Sequence, residues 1–161
     1  MMNNIIKRFA LVLALAVAML AQQPASAETQ LGRFVRVELP GDGRTLSLAE
    51  VEVFADGKNI AVNKTATSSS VWAGHGVNGK PSNAVDGRTD GIMWQGSVTH
   101  TQNEKNPWWE VDLGQTAAIE QVRIFNRTDS LSERLDDFTL KILDEERNPV
   151  ASISNQKAAP Y

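Results

Sequence analysis

The chain has 161 residues, a formal net charge of −3 at pH 7, no cysteine and only 6% aromatic residues. An acidic chain lacks the excess of Lys and Arg that a nucleic-acid partner requires to have its phosphates neutralised. The absence of cysteine excludes a disulfide framework, so core packing, with or without a bound metal, has to stabilise the fold.

The first 27 residues have the pattern of a secretory signal peptide. Lys7 and Arg8 form a positive start, residues 9–21 are apolar, and residues 25–27 are a small-x-small cleavage site. Cleavage there leaves 14 basic and 19 acidic residues, a net charge of −5. The pattern predicts a secreted or extracytoplasmic protein, in the periplasm or at the cell surface, and an uncleaved anchor is the alternative. Because no second apolar stretch follows, we predict no stable membrane span and one domain at residues 28–161.

The remainder of the chain is typical of an all-β protein. Runs in which apolar and polar residues alternate predict strands, because successive side chains of a strand point to opposite faces. In chain order these runs are 33–39, 46–54, 108–113, 119–125, 137–143 and 150–153. The turn cluster at 40–45 predicts a hairpin between the first two strands, and Gly114 predicts a turn between the third and fourth. No stretch keeps a helical period for three turns, so we expect an antiparallel sandwich.

Residues 68–100 differ from the rest because they contain few strand signals and six glycines. A long irregular stretch inside a compact domain is usually either disordered or functional. This one contains Trp72, Met93 and Trp94, which are residue types that disordered segments rarely carry. We therefore predict ordered loops at one end of the sandwich, where binding sites commonly lie.

A polar constellation follows these loops, formed by His100, Arg127, Asp129 and Arg134. If residues 123–129 are extended, Arg127 and Asp129 point to the same face, and the carboxylate can fix the direction of the guanidinium. Two guanidinium groups and an imidazole offer many hydrogen-bond donors and almost no nucleophile. This set suits the hydroxyls and ring oxygen of a sugar, or a carboxylate, and it does not suit hydrolysis.

The spacing of these residues, H-x26-R-x-D-x4-R, resembles the signature of the F-type lectins, the fucose-binding lectins also called fucolectins. The surrounding residues 99–101, 106–113, 126–129 and 133–135 are also similar to that family. The resemblance implies a jelly-roll β-sandwich of the galactose-binding domain-like kind. It further implies that His100, Arg127 and Arg134 donate hydrogen bonds to the sugar, and that Asp129 supports an arginine.

The resemblance also implies an apolar wall for the 6-methyl edge of L-fucose. The candidates here are Val71, His75, Met93 and Trp94. Packing in the core is the alternative for Met93 and Trp94, and a surface loop position is the alternative for His75. Many family members carry two adjacent cysteines between the motif's Asp and its last Arg, and their disulfide stacks on the sugar. This chain has Ser130 and Leu131 instead, and Leu131 can supply part of that apolar contact. We therefore expect weaker affinity or a shifted preference among related sugars.

A structural calcium ion is implied by the same resemblance. Carboxylate, hydroxyl and carbonyl oxygens are the ligands that Ca²⁺ requires. The positions that match the family's ligands are Asn83, Asp86, Arg88, Ser97, Ala49 and Glu50, with Asn83, Arg88 and Ala49 contributing backbone oxygens.

The order of the segments departs from that of the family. Residues 32–40 and 46–53 resemble the C-terminal segment of F-type lectins, but they come first in this chain. This implies a circular permutation in which residues 28–56 take the place of the family's C-terminal hairpin. The alternative is that the chain is a piece of a longer tandem protein, in which the hairpin pairs with a neighbouring copy.

Three classes of function compete on the sequence. The first is a lectin for fucosylated or related glycans, with avidity raised if the protein forms a homo-oligomer. The second is a discoidin-like adhesion module for a protein or membrane surface, with Trp72 and Trp94 at its loop tips. An enzyme is not expected, because no acid pair stands in a recognisable catalytic setting and there is no cysteine or nucleophilic-serine motif.

Overall fold

The computed structural model describes residues 28–158, and the predicted signal peptide at 1–27 lies outside them. Twelve strands form in the described residues: β1 (Gln30–Glu38), β2 (Ser47–Leu48), β3 (Glu50–Ala55), β4 (Lys58–Asn59), β5 (Thr65–Ser68), β6 (Ala73–Gly74), β7 (Val77–Asn78), β8 (Thr99–His100), β9 (Trp108–Ile119), β10 (Gln121–Phe125), β11 (Phe138–Leu143) and β12 (Pro149–Gln156). Three 3₁₀ helices lie at Pro81–Ala84, Met93–Gln95 and Ser132–Leu135. Within residues 28–158 no helix is long and apolar enough to cross a membrane.

The strands form an antiparallel β-sandwich, as the alternating runs predict. One sheet has the order β12-β11-β1-β9-β5 and the other has the order β10-β3-β4. The core between them is mainly aliphatic and also contains Trp109 and Phe138, and its fully buried members include Val35, Val37, Val51, Val53, Trp109 and Val111. Two short ladders, β2–β8 and β6–β7, shape the loops at one end.

The predicted hairpin between the first two strands is wrong. β1 pairs with β9 and β11 in the larger sheet, whereas β3 pairs with β10 and β4 in the smaller one. The turn cluster carries the chain from one sheet to the other, and Arg44 forms a bridge there with Glu104. Alternation reports which face of a strand is buried, and two strands on opposite sides of one core have the same pattern as two strands side by side.

The predicted turn at Gly114 is wrong as well, because β9 continues through it to Ile119. Gly114 has a φ of 88°, and its N–H donates to the Asp112 side chain over 2.8 Å. The pairing of β1 with β9 shifts register between Gly32 and Phe34. A glycine inside a strand often marks such a bulge, which bends the strand without ending it.

The N-terminal strand β1 lies in the middle of the larger sheet. Val35 of β1 is opposite Val111 of β9 on one side and Ile142 of β11 on the other. β3 has the equivalent central place in the smaller sheet. The first described strands therefore complete both sheets from within the same chain, while the circular permutation relative to the family stays a prediction.

Candidate functional site

His100 ends β8, which pairs with β2 so that Ser47 lies opposite His100. The residue is only 7% exposed. Its backbone N–H donates to the carbonyl of Gly79 over 3.0 Å, and its carbonyl accepts from the N–H of Trp72 over 2.8 Å. These bonds hold the imidazole at the loop end of the sandwich.

The tautomer of His100 follows from its neighbours. Nδ1 lies 2.7 Å from the carbonyl oxygen of Thr101. Because a carbonyl only accepts, Nδ1 carries the hydrogen, and Nε2 of the neutral ring is an acceptor. Burial, followed by the charges of Arg134 and Arg127, lowers the pKa of His100, so the ring is neutral at pH 7. The expected role of His100 as a donor to a ligand does not fit this tautomer, and Nε2 accepts instead.

Arg127 follows the end of β10 and is 3% exposed. Its Nε donates to Oδ1 of Asp129 over 2.5 Å, and its Nη2 donates to the Ser130 hydroxyl over 3.1 Å. Oδ2 of Asp129 in turn accepts from the N–H of Met93 over 3.2 Å. The carboxylate thus neutralises and orients the guanidinium, and Nη1 has no acceptor among the residues described.

Arg134 reaches the same place from the 3₁₀ helix Ser132–Leu135. Its Nη1 lies 3.4 Å from Nε2 of His100. Within residues 28–158 no carboxylate forms an ion pair with Arg134. The helix starts after Leu131, which has a φ of 60° and a largely exposed side chain. A bulky residue is unfavourable in that conformation, so the surrounding loop determines it.

Aromatic rings extend from His100 towards solvent. The Trp72 ring lies 5.2 Å from the His100 ring, and the His75 ring lies 6.4 Å from both Trp72 and Trp94. Trp94 is 59% exposed, and Val71 is also largely exposed. From the sequence, Trp72 was predicted only as a loop-tip residue of an adhesion module. Its contact with His100 forms because the loop folds back onto β8, which no local sequence pattern indicates.

Met93 differs from the other predicted wall residues because it is buried. It packs with Val77 and Val98, and Trp72 lies against this small cluster. Met93 also donates its N–H to Asp129. The residue therefore supports the loop that carries Trp94 and holds the carboxylate that orients Arg127.

The residues predicted to bind calcium include one conspicuous buried carboxylate. Glu50 is 0% exposed, and its Oε1 accepts from the N–H of Gly87 over 3.0 Å. Its Oε2 is buried without any hydrogen-bond partner. Burial, with a contribution from the charges of Asp86 and Glu52, raises the pKa of Glu50 to about 7. An orphaned buried carboxylate oxygen beside a second carboxylate fits a cation.

The other predicted calcium positions surround a tight loop. Asp86 accepts from the N–H of Arg88 over 2.9 Å, and the Asn83 side chain donates to the carbonyl of Val98 over 3.1 Å. The Ser97 hydroxyl donates to Asp90, a carboxylate that sequence analysis missed, and this bond lowers the pKa of Asp90. No group of three His, Cys, Asp or Glu side chains lies together in the described part of the chain, so backbone and hydroxyl oxygens are needed to complete a site.

The candidate site residues do not line the cavities found elsewhere on the surface. Those cavities have volumes of about 620, 380 and 320 Å³, and His100, Arg127 and Arg134 line none of them. A patch with two guanidinium groups, an imidazole acceptor and an apolar rim can bind a polar ligand with one apolar edge, and it offers no nucleophile.

Comparison with known proteins shows a family similarity for the C-terminal part of the chain. A model described as a NedA-like, galactose-binding domain of the F5/F8 type C class matches residues 83–160. Fucolectin from Anguilla anguilla is 44% identical over 79 residues, covering 48% of this chain and 50% of the relative. Fucolectin-1 from Anguilla japonica is also 44% identical over 79 residues, covering 48% of this chain and 44% of the relative. Residues 83–160 are thus similar to a discoidin-like, F-type lectin domain.

The match covers only part of this chain and only part of each relative. The chain spans about half the length of the fucolectins that it matches. A pentraxin fusion protein from Xenopus laevis is 27% identical over 85 residues, covering 53% of this chain and 20% of the relative. No solved structure gives a significant match. His100, Arg127 and Arg134 all lie in the part of the chain that the family model covers, whereas β1 to β3 lie outside it.

Proposed function

We propose that this chain is a secreted, non-catalytic carbohydrate-binding module of the F-type lectin kind that recognises L-fucose or a closely related sugar. The observation that carries the proposal is the convergence of His100 and Arg134, whose Nε2 and Nη1 atoms lie 3.4 Å apart. A sugar hydroxyl placed there can donate to the imidazole and accept from the guanidinium at the same time. The free Nη1 of Arg127 supplies a further donor.

The rim of the site suits the apolar edge of such a sugar. Trp94, His75, Val71 and Leu131 are all exposed beside the polar atoms. An aromatic and aliphatic rim meets C–H groups and a 6-methyl group well, while the buried arginine and histidine select the hydroxyl pattern. The relatives bear the name fucolectin, which supports fucose as the first sugar to test.

Calorimetry with L-fucose and D-galactose tests the proposal. We expect L-fucose to bind, and Arg134→Ala to weaken binding about 10- to 100-fold, because one hydrogen bond from a charged group is worth about 1.5–3 kcal/mol. Arg123→Ala is the control, since this exposed arginine pairs with Glu52 on the smaller sheet and should leave affinity unchanged. Absence of heat with both sugars, or an Arg134→Ala variant that binds like the wild type, would exclude the site.

A discoidin-like adhesion function is the second candidate, and the 59% exposure of the Trp94 side chain favours it. Exposed tryptophan at a loop tip can enter a membrane interface or a partner's pocket. Binding to lipid vesicles or matrix proteins that survives Arg134→Ala and is lost in Trp94→Ala would support adhesion in place of sugar recognition.

We propose in addition that calcium stabilises the loop beneath the site. Glu50, Asp86 and Ser97 would provide side-chain oxygens, and Ala49, Asn83 and Arg88 would provide backbone oxygens. The unpartnered oxygen of Glu50 is the observation that supports this. A cation there would neutralise two carboxylates and brace the turn that carries Gly87 against Glu50.

Calcium is expected to raise the melting temperature by about 5–10 °C at saturating concentration, because a ligand at 100 times its Kd contributes about 2.7 kcal/mol. Glu50→Gln should abolish this rise without lowering the melting temperature of the metal-free protein, since an amide is less costly to bury than a carboxylate. Glu52→Gln, two residues along the same strand, should keep the calcium response. Thermal scans with calcium and with a chelator give the answer, and an equal response in Glu50→Gln and wild type would contradict the assignment.

A site of this kind binds one sugar weakly. Secretion would place the domain where surface glycans are found, and a homo-oligomer would raise its avidity for glycans that present several sugars. Secretion of the domain and its assembly into a homo-oligomer are both part of what we propose.

A further inference from the structure

One short segment, residues 44–50, contacts the elements that carry His100 and Arg134 and the strand that leads to Arg127. We refer to it as the support segment. Ser47 pairs with His100 across the β2–β8 ladder. The N–H of Ala49 donates to the carbonyl of Phe125 over 2.8 Å, two residues before Arg127. Arg44 reaches the 3₁₀ helix that carries Arg134.

Arg44 makes the most specific of these contacts. Its Nη2 donates to the carbonyl of Asp136 over 2.6 Å and to the carbonyl of Arg134 over 3.3 Å, and its Nη1 donates to the carbonyl of Pro40 over 3.2 Å. Its own backbone is paired with Glu104 in both directions at 2.9 Å. Carbonyls at the end of a helical turn lack helical partners, so a cation that binds two of them holds the turn in place.

No carboxylate holds Arg134 itself among the residues described, so its direction depends on the helix from which it projects. The loop before that helix includes Leu131 in an unfavourable backbone conformation, which the surroundings must maintain. Arg44 lies in the turn cluster at 40–45, and its side chain binds the carbonyl of Asp136 at the C-terminal end of the same turn. The Arg44 bridge therefore restrains the C-terminal end of the turn that presents Arg134.

We propose that Arg44 is a positioning residue that holds Arg134 against His100, so that the support segment assembles a sugar site whose contact residues lie elsewhere in the chain. Its consequence for sugar affinity rests on the proposed function. The family model covers residues 83–160, and the support segment is outside it. The matched region by itself would then carry Arg134 without Arg44, the residue that holds it in place.

A titration of the histidines by NMR tests this without any sugar. The chain has two histidines, and a His75→Asn variant assigns their signals. Arg134→Ala should raise the pKa of His100 towards 6.5, because the substitution removes the positive charge beside the imidazole. Arg44→Ala should raise it in the same direction, because Arg134 is then free to move away. A His100 pKa in Arg44→Ala equal to that of wild type would overturn the proposal.

Arg44→Lys separates position from charge. Lysine keeps the positive charge, but one nitrogen cannot bind Pro40 and Asp136 as the guanidinium does. We therefore expect Arg44→Lys to shift the His100 pKa nearly as far as Arg44→Ala does. Wild-type behaviour of Arg44→Lys would mean that only the charge of Arg44 matters, and the positioning role would be rejected. This variant also keeps the test open if Arg44→Ala fails to fold.

A double-mutant cycle on sugar affinity completes the test. Arg44→Ala should weaken L-fucose binding about 5- to 10-fold in the wild type and should have no further effect in Arg134→Ala, because it acts through that residue. Equal effects of Arg44→Ala in both backgrounds would refute the proposal. If wild type binds no sugar, the proposed function fails, while the NMR titration still decides the role of Arg44.

Discussion

Arg127→Ala is expected to weaken sugar binding about 100-fold and to destabilise the domain by about 3 kcal/mol. Arg127 is 3% exposed, and its guanidinium holds both Asp129 and Ser130 while keeping Nη1 for a ligand. Alanine removes the ligand's donor and leaves the Asp129 carboxylate, 16% exposed as a side chain, without a counter-charge. One change therefore affects both affinity and stability.

Calorimetry at a temperature where the variant is folded, combined with thermal scans, measures the two effects separately. Arg127→Lys should still lose at least about 10-fold in affinity, because a single ammonium cannot hold Asp129 and Ser130 and also donate to the sugar. Arg123→Ala is the matched control on β10, the strand that precedes Arg127, since Arg123 is exposed and its loss should change neither quantity by much. An Arg127→Lys variant with wild-type affinity would show that charge alone matters at this position.

Gly79→Ala should disrupt the site although residue 79 makes no contact with a ligand in the proposal. A Cβ at this position would lie 2.5 Å from Cβ of His100 and 2.6 Å from its backbone nitrogen. Gly79 also accepts the N–H of His100 over 3.0 Å, so β8 cannot move away without losing that bond. We expect a loss of about 1–3 kcal/mol in the free energy of unfolding and at least a 10-fold loss of sugar affinity.

Gly57→Ala provides the comparison for this prediction. Gly57 has a φ of 68° and nothing within 4 Å of an added Cβ, so alanine there costs only backbone strain in a turn remote from His100. We expect it to lower stability by about 1 kcal/mol and to leave affinity unchanged. If Gly79→Ala lowers stability to the same degree but binds sugar like the wild type, the close packing of residue 79 against His100 has no role in the site.

The residues that would contact the sugar could be named from the sequence because they lie at a fixed spacing that few unrelated chains share. His100, Arg127 and Arg134 are indeed brought together, and Asp129 binds the arginine that its spacing indicates. The residues that hold them could not be named. Arg44 contacts Arg134, which lies 90 residues later in the sequence, and Gly79 packs against His100 across a loop. Neither contact is indicated by a periodic or local sequence pattern.

The chemistry of His100 also depended on the fold. Sequence reasoning treated its imidazole as a donor, whereas the carbonyl of Thr101 determines a tautomer in which Nε2 accepts. This tautomer is favoured because β8 ends at His100 and the imidazole folds towards the carbonyl of the next residue. A residue type states which atoms are available, but only its neighbours decide which of them carries the hydrogen.

The approximate positions of the longer strands, the all-β class and the spacing that singles out the candidate site residues were thus determined by the sequence itself. They depend on side-chain alternation and on spacing, which are properties of the chain alone. Strand partners were decided only by the tertiary structure, since β1 and β3 have the same alternation and yet lie in opposite sheets. The bulge at Gly114, the orphaned oxygen of Glu50 and the Arg44 bridge were decided there too. Each of them arises from contacts between residues far apart in the chain, and burial and hydrogen bonding at such contacts exist only once both sheets have formed.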